Sequence, residues 1–123
     1  MRPDIQELRN AALCHREDAL YPGMTPPSRV LNAAGERAGQ LAYPGGRDRD
    51  PAPAVPGYVV DFDSADNDPH ATVEHVGKGR DAALVRYRQA LETAGFVATI
   101  GPKRSWLKKP VVHVRMPSMV VTP

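Results

Sequence analysis

Lys103, Arg104, Lys108 and Lys109 surround a single tryptophan, Trp106, in the stretch Gly101-Pro102-Lys103-Arg104-Ser105-Trp106-Leu107-Lys108-Lys109-Pro110. Cations at this density suit a phosphate backbone, and an indole among them can stack on a base or fill a minor-groove edge. Prolines at either end, with apolar alternation on both sides, make the stretch the tip of a β-hairpin. A plainer alternative is a solvated tip whose Trp106 and Leu107 fold back on the sheet. An acidic protein surface is the other partner it would fit.

A second basic element, Gly77-Lys78-Gly79-Arg80, lies between a predicted strand and a predicted helix. Free backbone N–H groups and the helix dipole favour anions at such a place. The spacing is not that of a P-loop, and the third glycine of a dinucleotide fingerprint is missing. What remains is a single phosphate contact, beside Arg86 or Arg88 of the helix that follows, or a simple flexible turn.

Acids gather elsewhere. Asp61, Asp63, Asp66 and Asp68 precede His70, Glu74 and His75, a set of ligand types able to hold calcium or magnesium. The run departs from a calcium-binding loop: Ala65 and Thr72 stand at ligand positions, and the glycine such a loop turns on is absent. Asp, Asn and Pro in succession also serve a long hairpin turn, which is the reading adopted. His15, His70, His75 and His113 are scattered, and no serine or cysteine stands beside them in a nucleophile pattern. His113 falls on the face of its strand away from the core and reads as an exposed sheet residue. The expectation is a non-enzymatic protein with no metal and no cofactor.

Charge divides along the chain. Residues 1–76 hold seven Lys/Arg and twelve Asp/Glu, net −5, whereas residues 77–123 hold nine and two, net +7. Such asymmetry is an argument about partners, not about fold. Either the acidic half lies against the basic half, or the basic face stays open to an anionic visitor.

With 123 residues there is room for one modest domain with irregular flanks. Nine of the thirteen prolines fall before residue 70, in runs that read as linkers or extended arms. Apolar runs are shorter than the ~20 residues a bilayer requires, and residues 1–7 contain no apolar signal region. One cysteine, Cys14, forms no internal disulfide and reads as a small apolar contact on a helix. A cytoplasmic setting is expected. Twelve arginines to four lysines, with abundant alanine and valine, match GC-rich codons. That skew points to a high-GC bacterium, or to a phage or mobile element living in one.

The elements that position these residues follow from spacing. A first helix is predicted over 4–20, with Asp4 and Glu7 as a capping box. A second, weakened by Gly35 and Gly39, is predicted from Pro27 or Ser28 to Ala42 on the stripe Val30, Leu31, Ala34, Ala38 and Leu41. Residues 43–57 read as a Pro/Gly-rich linker. Tyr58–Phe62 and Ala71–Val76 alternate as two strands of a hairpin. The strongest helix runs from Asp81, its N-cap, to Ala94, with Gly95 closing it and Phe96 packing back. Phe96–Ile100 and Val112–Met116 supply two more strands, and the helix is long enough for the second and third strands to lie parallel through a crossover.

The fold class is therefore α+β: N-terminal helices and a Pro-rich linker, then a β-β-α-β-β domain with one helix on a four-stranded sheet. The division is 1–55 for arm and linker, 56–117 for the domain and 118–123 for a tail. No stretch carries the motif of a known family. The expected function is that of a small accessory protein binding nucleic acid electrostatically through Lys103, Arg104, Trp106, Lys108 and Lys109, with Lys78, Arg80, Arg86 and Arg88 as auxiliaries. The rivals are an adaptor or inhibitor docking on a host protein, and a self-associating structural protein.

Overall fold

The computed structural model describes residues 16–48, 50–63, 69–103 and 109–117. The fold is α+β. Helical residues 16–20 form α1, Pro27–Ala33 form α2 and Arg80–Thr93 form α3. The strands are β1 (Gly57–Asp63), β2 (His70–Val76), β3 (Val97–Pro102) and β4 (Pro110–Arg115). The rest of the predicted first helix, the middle of the acidic loop (64–68), the hairpin tip 104–108 and the tail 118–123 lie outside the described residues.

The strands make one antiparallel sheet in the order β1-β2-β4-β3. The predicted β1–β2 hairpin is present, with Val60 opposite Val73 and Phe62 opposite Ala71. β2 and β3 run in the same direction through the α3 crossover but are not neighbours, because β4 turns back into the gap between them. The composition of the strands explains this. β4 carries Val111, Val112 and Val114, all fully buried, and so suits an interior position apolar on both faces. β3 alternates small and polar residues (Ala98, Thr99, Gly101) that suit an edge.

Helix α3 crosses one face of the sheet. Its Ala83, Leu84, Tyr87 and Leu91 pack on Tyr58, Val60, Ala71, Val73, Ala98, Val112 and Val114. Tyr21 and Leu31 belong to the same core. The Tyr21 ring meets Phe96 edge-on at 5.0 Å, and its hydroxyl sits between two strands, accepting the Ala71 N–H at 2.9 Å and donating to the Val114 carbonyl. Tyr58 similarly donates to Asn32 Oδ1 and tethers α2. Beneath α2, buried Glu17 accepts the Ser28 hydroxyl at 2.7 Å.

Both longer helices close in the same way. After α3, Phe96 N–H reaches the Leu91 carbonyl and Gly95 N–H the Glu92 carbonyl; after α2, Glu36 reaches Leu31 and Gly35 reaches Asn32. These are Schellman closures with glycine at positive φ, 101° at Gly95 and 89° at Gly35. The second helix therefore stops at Ala33, well short of the predicted Ala42. Asp81 is not the N-cap of α3 either: Gly79 occupies that place, and Asp81 lies in the first turn, where its charge still favours the dipole.

Beyond α2 the chain runs extended along the outer edge of β1. Tyr58 donates to the Arg37 carbonyl and Gly39 donates to the Tyr58 carbonyl. Gln40 then pairs with Val55 and Tyr43 with Ala52, so the Pro-rich stretch forms a narrow antiparallel ribbon. The approach to β1 is close. A Cβ on Gly57, which has φ 144°, would lie 2.3 Å from the Arg37 carbonyl oxygen.

Candidate nucleic-acid interface

The basic tip and the Gly77–Arg80 turn are distant in sequence, and strand register decides whether they meet. Ala71 opposes Val114 and Val73 opposes Val112. Continued along the strands, this register brings Val76, the last residue of β2, level with Lys109. The Lys103 N–H closes the tip on the Lys109 carbonyl at 2.9 Å, just beyond the Pro102–Pro110 pair. Turn and tip thus leave the same end of the sheet, and the N-terminus of α3 starts there too.

At that end Lys78, Arg80 and Lys109 are exposed. Arg80 lies 3.7 Å from Asp81, whose side chain is 92% exposed, so water competes fully for that pair. The turn itself is held by His75. A carbonyl only accepts, so His75 Nε2–H donates to the Lys78 carbonyl at 2.9 Å, leaving Nδ1 to accept the Tyr87 hydroxyl at 2.6 Å. Burial, with the charge of Glu36, pushes the Tyr87 phenol up to about 12, which keeps that proton in place.

Sequence reasoning missed Arg37. Its carbonyl accepts the Tyr58 N–H, Tyr58 opposes His75, and the exposed residue therefore stands beside the start of β1 at this same end. The signal was hidden because residue 37 fell inside a helix that in fact ends at Ala33.

Two predicted contact residues, Lys103 and Arg86, are engaged within the molecule, and Arg88 has only an exposed ion pair. Lys103 reaches across the sheet to Asp61 on β1, Nζ to Oδ2 at 2.6 Å. Burial alone would raise the Asp61 carboxyl. The Lys103 and Phe62 hydrogen bonds and the Lys103 charge outweigh it and hold the group below 3.8. Arg86 Nε lies 3.2 Å from Glu36 Oε2, bracing α3 against the closure of α2. Arg88 lies 3.7 Å from Glu92, one turn further along its own helix. Arg86 and Arg88 are not brought together with the tip. Arg104, Trp106 and Lys108 lie outside the described residues.

The sheet face opposite α3 differs from expectation. His113 is not a free surface residue. Its Nε2–H donates to the Pro102 carbonyl at 3.1 Å, and its Nδ1 lies 2.8 Å from Nε2 of the buried His70. Among the described residues no three His, Cys, Asp or Glu side chains gather as a metal would require. A groove of about 700 Å³ between α2 and α3 contains Arg29, Glu36, Arg86 and Gln89, but Glu36 and Arg86 answer each other there. Among the described residues no helix is long and apolar enough to cross a membrane.

No family model, curated protein or solved structure matches this chain.

Proposed function

We propose that this protein binds nucleic acid electrostatically through the end of its sheet where the β2–α3 turn and the β3–β4 tip emerge together. In this reading it is a small, non-enzymatic, cytoplasmic accessory protein of a high-GC bacterium or of a phage or mobile element within one. The observation that carries it is the shared register, which gathers Lys78, Arg80 and Lys109 at one pole with Arg37 beside them. Arg104, Trp106 and Lys108, outside the described residues, remain contacts expected from the sequence. Lys103 stands in reserve, tied to Asp61. Arg86 is committed to Glu36, and Arg88 is kept as an auxiliary contact.

Contacts of this kind displace condensed counterions, so log K should fall with log salt at about 0.9 per phosphate on duplex and about 0.7 on single strands. Fluorescence anisotropy on both kinds of oligonucleotide, at several salt concentrations, tests the proposal. A slope of about −3 to −5 is expected, and absence of binding to either at low salt sinks it. A single stoichiometric protein partner recovered after nuclease treatment would favour the rival, an adaptor docking on an acidic protein surface.

A further inference from the structure

The sheet has two outer strands, and they are finished differently. β1 is partly covered, since the chain at Arg37–Gly39 takes both backbone groups of Tyr58. It also bears Asp61 and Asp63, charges of the kind that discourage further pairing. Among the described residues β3 has neither protection. Val97–Pro102 contains no charged side chain, and among the described residues no strand pairs with its outer edge. Val97 and Ile100 are 42% and 36% exposed on it.

A bare edge presents a row of N–H and C=O groups that another extended backbone satisfies best. The identity of that backbone can be argued from β3 itself. Antiparallel pairing of β3 with a second β3 about a twofold axis at Thr99 sets Val97 opposite Gly101 of the second copy. It also sets Ala98 opposite Ile100 of that copy. A large side chain meets a small one at every position except the axis, where threonine meets threonine. Directly opposed residues share a face, so each exposed apolar side chain covers its counterpart's gap.

Proline fixes the register. Centred on Thr99, the ladder spans 97–101 in both copies and leaves Pro102, which has no N–H, outside it. A shift that centred it on Ile100 would draw Pro102 in against Ala98. Charge agrees as well: neutral strand meets neutral strand, and Arg115, level with Val97 on β4, faces no second Arg115 across the axis.

We propose that the protein self-associates as a twofold dimer through antiparallel β3–β3 pairing centred on Thr99, joining two four-stranded sheets into one. The occupant of the edge is a second copy of this chain. The dimer is an interaction separate from the basic pole, which lies at the end of the sheet.

Sedimentation equilibrium of the full chain is the first test. The mass should rise with concentration from 13.4 kDa toward twice that value. A mass that stays at the monomer value up to about 1 mM overturns the proposal. Ile100→Lys should hold the protein monomeric with unchanged far-UV circular dichroism, and a dimer that survives it counts against the edge. Cross-linking decides the register even if that variant fails to fold. In a Cys14→Ser background, Thr99→Cys should form a disulfide-linked dimer on mild oxidation, whereas Val97→Cys, opposite a glycine, should not. Equal cross-linking by both would overturn the pairing.

Discussion

His70 and His113 share a hydrogen bond, Nε2 to Nδ1 at 2.8 Å, across the sheet face opposite α3. Because His113 spends its Nε2 proton on the Pro102 carbonyl, its Nδ1 is the acceptor and His70 the donor. Two imidazolium rings could not make that bond. The pair therefore joins β2 to the β3–β4 hairpin only while at least one of the two rings is neutral.

A pH dependence follows. Burial, then the charges of His70 and Arg115, hold the His113 imidazole below 6.5, partly offset by the Pro102 carbonyl. Asp61 and Lys103 meet on this face, with Asp63 on β1 opposite His70. The unfolded chain takes up the proton before the folded one, so this contribution is complete above 6.5 and is lost as pH falls through the lower folded value. Urea unfolding of wild type should show a midpoint that drops between pH 7.5 and 5. His113→Gln should lose about 1 kcal/mol at pH 7.5 and flatten that drop. An unchanged slope in the variant would remove His113 as its source.

The Lys103–Asp61 ion pair makes the proposed function testable in the direction of gain. Asp61→Asn removes the carboxylate that holds Lys103 at 2.6 Å and leaves the ammonium to an external phosphate. Oligonucleotide affinity should rise, with the salt slope steeper by about one unit. Lys78→Ala and Lys109→Ala should each weaken binding about three- to tenfold and reduce the slope by about one unit. Arg86→Ala should leave it unchanged, because its guanidinium serves Glu36. If all four variants bind alike, the pole is not the interface.

How much of this was legible depends on whether a signal is local. The alternation of Tyr58, Val60 and Phe62, the stripe of α3 and the closure at Gly95 could all be read directly, and each is present. Gly35 sends the same Ala-Gly signal as Gly95. It was outweighed by the spacing of Ala38 and Leu41, residues that belong to an extended segment paired beside β1. Alternation correctly turned His113 away from the core. It could not reveal that His70 lies beside it, because that needs β4 next to β2, a choice made by burial of Val111, Val112 and Val114. The basic pole follows the same logic. Lys78 and Lys109 share an end only through the β2–β4 register, which no single segment encodes.

Glu17 is fully buried, with Oε2 bonded to the Ser28 hydroxyl and, among the described residues, no hydrogen-bond partner for Oε1. Desolvation raises its carboxyl above 4.5, although Ser28 works against the shift. The sign here is opposite to that of His113. The folded state holds its proton more tightly, so the contribution is complete below 4.5 and fades as pH rises through the raised value. Glu17→Gln keeps an acceptor for Ser28 without the charge, and its stability relative to wild type should improve from pH 4.5 to 7. Glu17→Ala, which removes the acceptor at the start of α2, should cost about 1–3 kcal/mol. Paired thermal melts at the two pH values distinguish these outcomes, and a constant difference between wild type and Glu17→Gln would refute the titration.

Tyr21 supplies a sharper test of how the N-terminal segment is attached. The β2–β4 pairing spans only Ala71–Val73 against Val112–Val114, and at its end the Tyr21 hydroxyl stands between the Ala71 N–H and the Val114 carbonyl. Both backbone groups belong to buried residues and share that one oxygen as a partner. Tyr21→Phe keeps the ring against Phe96 but removes both bonds, at a cost of about 1–3 kcal/mol. Tyr21→Ala also removes the ring from the core and should cost about 3–5 kcal/mol. Amide exchange separates local from global effects: in Tyr21→Phe the Ala71 amide should lose protection well beyond the loss at Val60 or Leu91. Equal losses at all three would mean that the hydroxyl supports overall stability without stitching these two strands.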